Sequence, residues 1–313
     1  MATKTKNYDL IKPTENDYYD VNVQNNNMDI IDTALKEVSD SDDAKLQIGK
    51  DYRPNLLING DFQVWQRGTS FNIAAGEVKY TADRWIGDGF GTHAYTVSKD
   101  TNGVLLPASP SEVRSLENRI ELTDAVRNNV INKKVSYTIS VDGIIYTGTC
   151  VLTSTSGINL KGASDTSLRF EWNALGSTCI SIYITFRDVL SHIVNYIKVE
   201  LNDHATSFIS KSYGDELIAC QRYYEKYDFN SSVCQSGYQV IGFPFKVDKR
   251  VNPTMTFKSQ NGTLNKLSAW GALNIYATVL SSMINTEGVE LINTDNAVSG
   301  SRYVYSWVAD AEL

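Results

Sequence analysis

From about residue 54 to 211 apolar and polar residues alternate with a period of two, and this alternation limits the possible folds more than any other feature. Val135, Tyr137, Ile139 and Val141 interleave with Lys134, Ser136, Thr138 and Ser140. Leu116, Ile120 and Leu122 interleave with the charged Glu117, Arg119 and Glu121. Such spacing belongs to strands with one face on a core and the other turned outward. Asp142-Gly143 predicts a tight hairpin turn into a strand over 144–152. Further strands are predicted at 168–172, 180–186 and 193–201. With no helical pattern between them, these short two-faced strands imply an antiparallel β-sandwich.

The flanks read differently. In residues 1–53, Met28, Ile31, Leu35 and Val38 continue from Gln24 at spacings of four and three, so they fall on one helical stripe. Two heptads are too short for an isolated helix. The stripe is therefore expected to be buried against copies of itself or another protein. The run Ser39-Asp40-Ser41-Asp42-Asp43 reads as a solvated hinge. Residues 212–228 form a predicted linking segment, helical from about Asp215 to Tyr227, with Ser212 as N-cap. Strand-like patterns return in 229–313, at Tyr238 to Val247, Met255 to Phe257 and Tyr303 to Val308. A second, smaller β-sandwich is expected there.

Composition excludes several functions. The 313-residue chain is long enough for two or three domains and carries a net charge of −7, so it lacks the basic footprint of a nucleic-acid or anionic-membrane binder. No apolar run is long enough to insert in a bilayer, and the N-terminus has no signal-like apolar core. Synthesis in a cytoplasm, with release by lysis, is the expectation. Cys150, Cys179, Cys220 and Cys234 have no zinc or redox spacing and read as small apolar residues. His93, His192 and His204 sit in no hydrolase frame. Glycoside cleavage requires two facing carboxyl groups. Glu171 and Glu200 are the candidates, and their alternation with apolar neighbours turns them toward solvent or a subunit contact.

Several blocks carry a resemblance. NLLINGDFQVWQRG from Asn55, the run Tyr80 to Trp85, and SYGDELIACQRYYEK from Ser212 resemble tail-fibre or receptor-binding proteins of bacteriophages and phage-tail-like bacteriocins. The opening YDLIKPTENDYYDVNVQNNNMDIIDTAL and the ending Trp307 to Leu313 are similar to theirs as well. The resemblance implies a mainly β homotrimeric fibre: an N-terminal helical attachment segment at 1–53, a central jelly-roll β-sandwich at 54–211, the linking helix at 212–228, and a distal C-terminal β-sandwich at 229–313. It implies a baseplate partner for the N-terminus and a host partner that is a surface polysaccharide or a surface-layer protein. The rival readings are a glycan-degrading tail enzyme and a purely structural tail component. The middle region resembles carbohydrate-binding modules, opened by Asn59-Gly60-Asp61-Phe62 and closed by Tyr196 to Leu201. Many such modules place Glu after that Phe to help hold structural calcium. Here Gln63 stands there, which counts against the ion, and no other cofactor is expected.

A sugar presents hydroxyls around an apolar ring face, so its sites pair a Trp or Tyr platform with Asn, Asp or Gln. Of the five Trp, Trp65, Trp85, Trp172 and Trp307 are expected in cores. Trp270, in a less regular stretch with Asn274 and Tyr276 nearby, is the candidate platform.

Overall fold

The computed structural model describes residues 3–5, 10–12, 21–51, 53–90, 93–109, 113–153, 155–174, 178–228, 239–269, 272–278, 281–293, 302–303 and 305–313, some of them by backbone alone. The chain divides into two compact units, Met1–Arg53 and Pro54–Leu313.

In the first unit β1 (Thr3–Lys4) and β2 (Ile11–Lys12) pair antiparallel, and α1 spans Val21–Asp51. The Asn27 side chain accepts from the Ile11 N–H and donates to the Ile11 carbonyl, each at 3.0 Å. Met28, Ile31 and Leu35 are exposed, and the side chain of Val38 lies outside the described residues. The hinge expected at 39–43 is helical instead. That run holds no Gly or Pro, and Ser or Asp costs a helix only about 0.5 kcal/mol per residue. Among the described residues no helix is long and apolar enough to cross a membrane.

The second unit opens with β3 (Ser70–Ile73), β4 (Val78–Tyr80), β5 (Trp85–Asp88), β6 (Tyr95–Asp100), β7 (Gly103–Leu106) and β8 (Arg114–Glu121). After a short helix, α2 (Asp124–Val130), come β9 (Lys134–Val141), β10 (Ile144–Val151), β11 (Ser156–Asn159), β12 (Leu168–Asn173), β13 (Cys179–Phe186) and β14 (His192–Glu200). They build two six-stranded antiparallel sheets, ordered β10-β9-β14-β7-β6-β3 and β11-β12-β13-β8-β5-β4. The inward residues of the alternation, among them Ile139, Val141, Ile197 and Val199 from one sheet and Leu116, Phe170, Ile182 and Ile184 from the other, share one buried core. Tyr137 meets Phe170 across it, with ring centroids 4.9 Å apart. This is the antiparallel β-sandwich that the period of two predicts. Asp142 and Gly143 both take positive φ, 53° and 77°, giving the mirror-image turn that suits strand twist. Helix α2 was not anticipated. Thr123 caps it, its Oγ1 accepting from the Val126 N–H at 3.3 Å.

Beyond the sandwich lie α3 (Tyr213–Gln221), β15 (Tyr224–Asp228), β16 (Gln239–Pro244), β17 (Thr254–Lys258), β18 (Lys266–Ala269), β19 (Ala272–Thr278), β20 (Ser281–Ile284), β21 (Gly288–Asn293), β22 (Arg302–Tyr303) and β23 (Ser306–Asp310). They form three small sheets, β15-β23-β17, β16-β21-β20 and β19-β18-β22. Ser212 caps α3 as predicted, accepting from the Asp215 N–H at 3.2 Å. The helix is shorter than expected. Tyr224–Asp228 pairs with Ser306–Asp310 instead, because ladder bonds and aromatic burial outweigh the modest helix propensity of Glu225 and Lys226. Trp307 centres a second core with Phe243 and Phe245, at centroid distances of 5.2 and 5.7 Å.

The blocks opening at Asn55, Tyr80 and Ser212 and the run from Trp307 to Leu313 meet at one buried junction. The Asn59 side chain donates to the Val64 and Asp83 carbonyls at 3.0 and 2.9 Å, and Trp85 Nε1 donates to the Asn59 carbonyl at 2.7 Å. Arg67 pairs with Asp83 at 3.2 Å and Glu312 at 3.1 Å while lying 3.5 Å over the Tyr224 ring. Arg84, also paired with Glu312, lies 3.7 Å over Tyr223. Tyr80 Oη donates to the Leu313 main-chain oxygen at 3.1 Å. These residues tie the sandwich to α3, β15 and β23. Their work is scaffolding.

Candidate functional site

The two sheets turn very different outer faces outward. On β14, Lys198 and Glu200 pair at 2.9 Å and are 1% and 0% exposed. The segment after β14 covers them. Thr206 donates to Glu200 Oε1 from its N–H at 2.7 Å and its hydroxyl at 2.9 Å, and Phe208 stacks on Tyr196 at 4.6 Å. Glu200, expected to face solvent or a subunit contact, is sealed beneath this strap. Alternation gives sidedness but not what lies over that side.

The other sheet is covered over β5 and β8, where Ile86, Ser115 and Glu117 are buried, and is open over β11, β12 and much of β13. Its register sets two rows of outward residues side by side: Asn159, Arg169, Thr185, Ser115 and Asp88, then Gly157, Glu171, Tyr183, Glu117 and Ile86. Along them Arg169 Nε donates to Glu171 Oε1 at 2.9 Å, Arg187 approaches the same oxygen at 3.7 Å, and Arg119 Nε donates to Glu117 at 2.7 Å. Over one end runs a groove of about 710 Å³, lined by Phe90, Tyr183, Trp172, Arg169, Glu171, Arg187, Asn173 and Thr155 among others. Gly157 is part of its lining, where a Cβ would stand 2.7 Å from Glu171 Cγ, so a side chain there would displace the ion pair. Phe90 is 67% exposed and its ring centroid lies 6.3 Å from that of Tyr183, at 57°. The volume is that of a small-molecule site, and the lining combines apolar rings with fixed polar groups. Burial raises the Tyr183 phenol above its ordinary value, so the ring is neutral and keeps its hydroxyl proton. Nearby, burial and then the Glu117 charge push the Asp88 carboxyl up to about 6.

The residues favoured from sequence fare unevenly. Trp270 lies outside the described residues, and Asn274 and Tyr276 are described by backbone only, within β19. Trp85, Trp172 and Trp307 are buried, and Trp65 is partly buried against the main core, its Nε1 donating to the Phe62 carbonyl at 2.6 Å. Cys150 and Cys179 are free thiols on different sheets, and burial pushes Cys150 up to about 12; Cys234 lies outside the described residues. His192 is buried between Asp142 at 2.7 Å and Asp188 at 2.9 Å, and stacks on Phe186 at 4.5 Å. Both ring nitrogens face carboxylates, so neither is left for a nucleophile. Sequence reading missed Tyr183 and Phe90. A signal for Tyr183 existed: it is the one aromatic among the outward residues Ser181, Tyr183 and Thr185 of β13.

The place where the resemblance implies calcium holds an amide. Gln63 Nε2 donates to Asp61 Oδ2 at 2.6 Å, Ser210 Oγ at 2.8 Å and the Lys211 carbonyl at 3.1 Å. Carboxylate and carbonyl are obligate acceptors, which fixes nitrogen toward them. A donor among these oxygens does the cross-linking that an ion would do, so the residues do not fit calcium here. Among the described residues no group of three His, Cys, Asp or Glu is placed to hold a metal.

Comparison with known families, curated proteins and solved structures gives no match to this chain.

Proposed function

We propose that the chain is the receptor-binding fibre of a phage or contractile phage-tail-like particle, and that it attaches the particle to a surface glycan of a bacterial host. The resemblance of the sequence blocks supports the particle. The glycan reading rests on the groove: two rings, Phe90 and Tyr183, beside fixed hydrogen-bonding groups on the open part of one sheet of a jelly-roll-like sandwich. The exposed stripe of Met28, Ile31 and Leu35 on α1 supports assembly as a homotrimer, with the N-terminal unit toward the baseplate. Three grooves per fibre multiply a weak single-site affinity by avidity. Synthesis in the host cytoplasm and release by lysis follow from that role.

Binding rather than cleavage is favoured by one observation. Glu171 is the one carboxylate lining the groove among the described residues, and two arginines attend it. Glycoside hydrolysis requires a second carboxyl group across the bond. The decisive test compares labelled protein with its Tyr183→Ala and Phe90→Ala variants on susceptible cells. Each variant is expected to lose roughly 10-fold or more in binding, about 1.4 kcal/mol, with an unchanged melting temperature. Full binding by both variants would refute the groove as the attachment site. Released reducing sugar from host envelope would favour the enzyme reading.

A further inference from the structure

We infer that the groove selects an anionic saccharide, with Arg187 receiving its carboxylate or phosphate while the Phe90–Tyr183 pair takes a ring face; this rests on the attachment reading above. The groove wall carries two cations and one anion, although the whole chain has a net charge of −7. The two arginines are not equivalent. Arg169 is engaged on both sides, by Glu171 at 2.9 Å and by Asn159 at 2.5 Å. Arg187 reaches Glu171 only at 3.7 Å, beyond hydrogen-bond length, with its side chain 44% exposed. A guanidinium is a planar fork of five donors that matches carboxylate and phosphate oxygens two at a time. In Arg187 that fork stands at the groove, and among the described residues no oxygen accepts from it at hydrogen-bond distance.

Trp172 adds to the lining, but its ring packs inward against Phe170 in the main core, so the cationic fork of Arg187 is what sets the charge preference. A neutral glucan would use the rings and the hydroxyl-binding groups Asn173 and Thr155 but would leave Arg187 idle. An acidic chain uses all of them.

Three probes of matched length separate the possibilities: a neutral glucan oligosaccharide, a polyuronic acid oligomer, and a polyglycerol phosphate. Titration of the full-length protein by calorimetry should show one of the anionic probes binding about 10-fold tighter than the glucan at low salt, the gap narrowing as ionic strength rises. The two anionic arms decide between carboxylate and phosphate. Arg187→Gln should abolish the preference while keeping the glucan affinity and the melting temperature. Arg187→Lys, which keeps the charge without the fork, should retain part of the preference. Equal binding of neutral and anionic probes, or a preference that survives Arg187→Gln, overturns the inference and leaves the attachment reading standing. Failure of every probe to bind overturns both.

Discussion

Two strands of the sandwich spell nearly the same message and use it in opposite ways. Strand β14 carries Lys198-Val199-Glu200 and β12 carries Arg169-Phe170-Glu171, each a cation, an inward apolar residue and an anion. The first pair is 1% and 0% exposed, the second 23% and 24%. What differs is the covering. The strap through Thr206 and Phe208 closes over β14, whereas the face of β12 and β13 is left with a groove. A sealed ion pair is committed to structure, its charges held by each other, by Ser136 and by the strap. An open one keeps room for a ligand.

Substitution should separate the two most strongly at the glutamates. Glu200→Ala leaves the Lys198 ammonium buried without its anion and should cost about 3–5 kcal/mol of stability. Glu171→Ala, on a half-open pair, should cost less than about 1 kcal/mol. Urea denaturation of both variants checks this, and equal costs would break the contrast.

A smaller effect is expected where the strap is fastened at its far end. Gln63→Glu removes the amide that holds Asp61, Ser210 and Lys211 and sets a second carboxylate beside Asp61. Stability should fall by about 1–2 kcal/mol in the presence of chelator. Because the new side chain completes a set of oxygens, millimolar calcium should restore the melting temperature of the variant and leave the parent unaffected. A variant indifferent to calcium would show that the loops do not enclose an ion-sized space.

The smallest effect concerns Asp88, a buried carboxyl on the covered part of the grooved sheet. Its folded pKa of about 6 lies above the ordinary 3.8, chiefly through burial and then through Glu117. The folded state therefore holds the proton more tightly than the unfolded chain. This group's contribution is fully present below about pH 4 and is lost as pH rises through about 6. Asp88→Asn should flatten that part of the melting profile between about pH 4 and 7 and leave the values above it no lower than those of the parent. An unchanged slope would mean that Asp88 is better solvated than its burial implies.

How far the sequence disclosed this architecture follows from what alternation can encode. Val135 to Val141, the Asp142-Gly143 turn and the runs at 168–172 and 180–186 are local signals, and the structure bears them out. Ser212 is local too, as a cap. The end of α3 at Gln221 is not, because Tyr224 becomes a strand only when Ser306–Asp310 returns beside it. The strap over Glu200 is equally non-local. So is the groove, whose lining comes from separate segments around Phe90, Thr155, Arg169 and Tyr183. The most distinctive blocks, from Asn59 to Arg67 and from Asp83 to Trp85, form the buried junction. Distinctive residues can mark a demanding scaffold as readily as a binding face.

Hydrogen–deuterium exchange of the full-length protein with and without purified host envelope glycan tests the central claim most directly. Protection concentrated in 155–157, 169–173 and 181–187, with the strap and β14 unchanged, is the predicted result. Protection confined to 266–278 around Trp270, or none in either sheet, would contradict it.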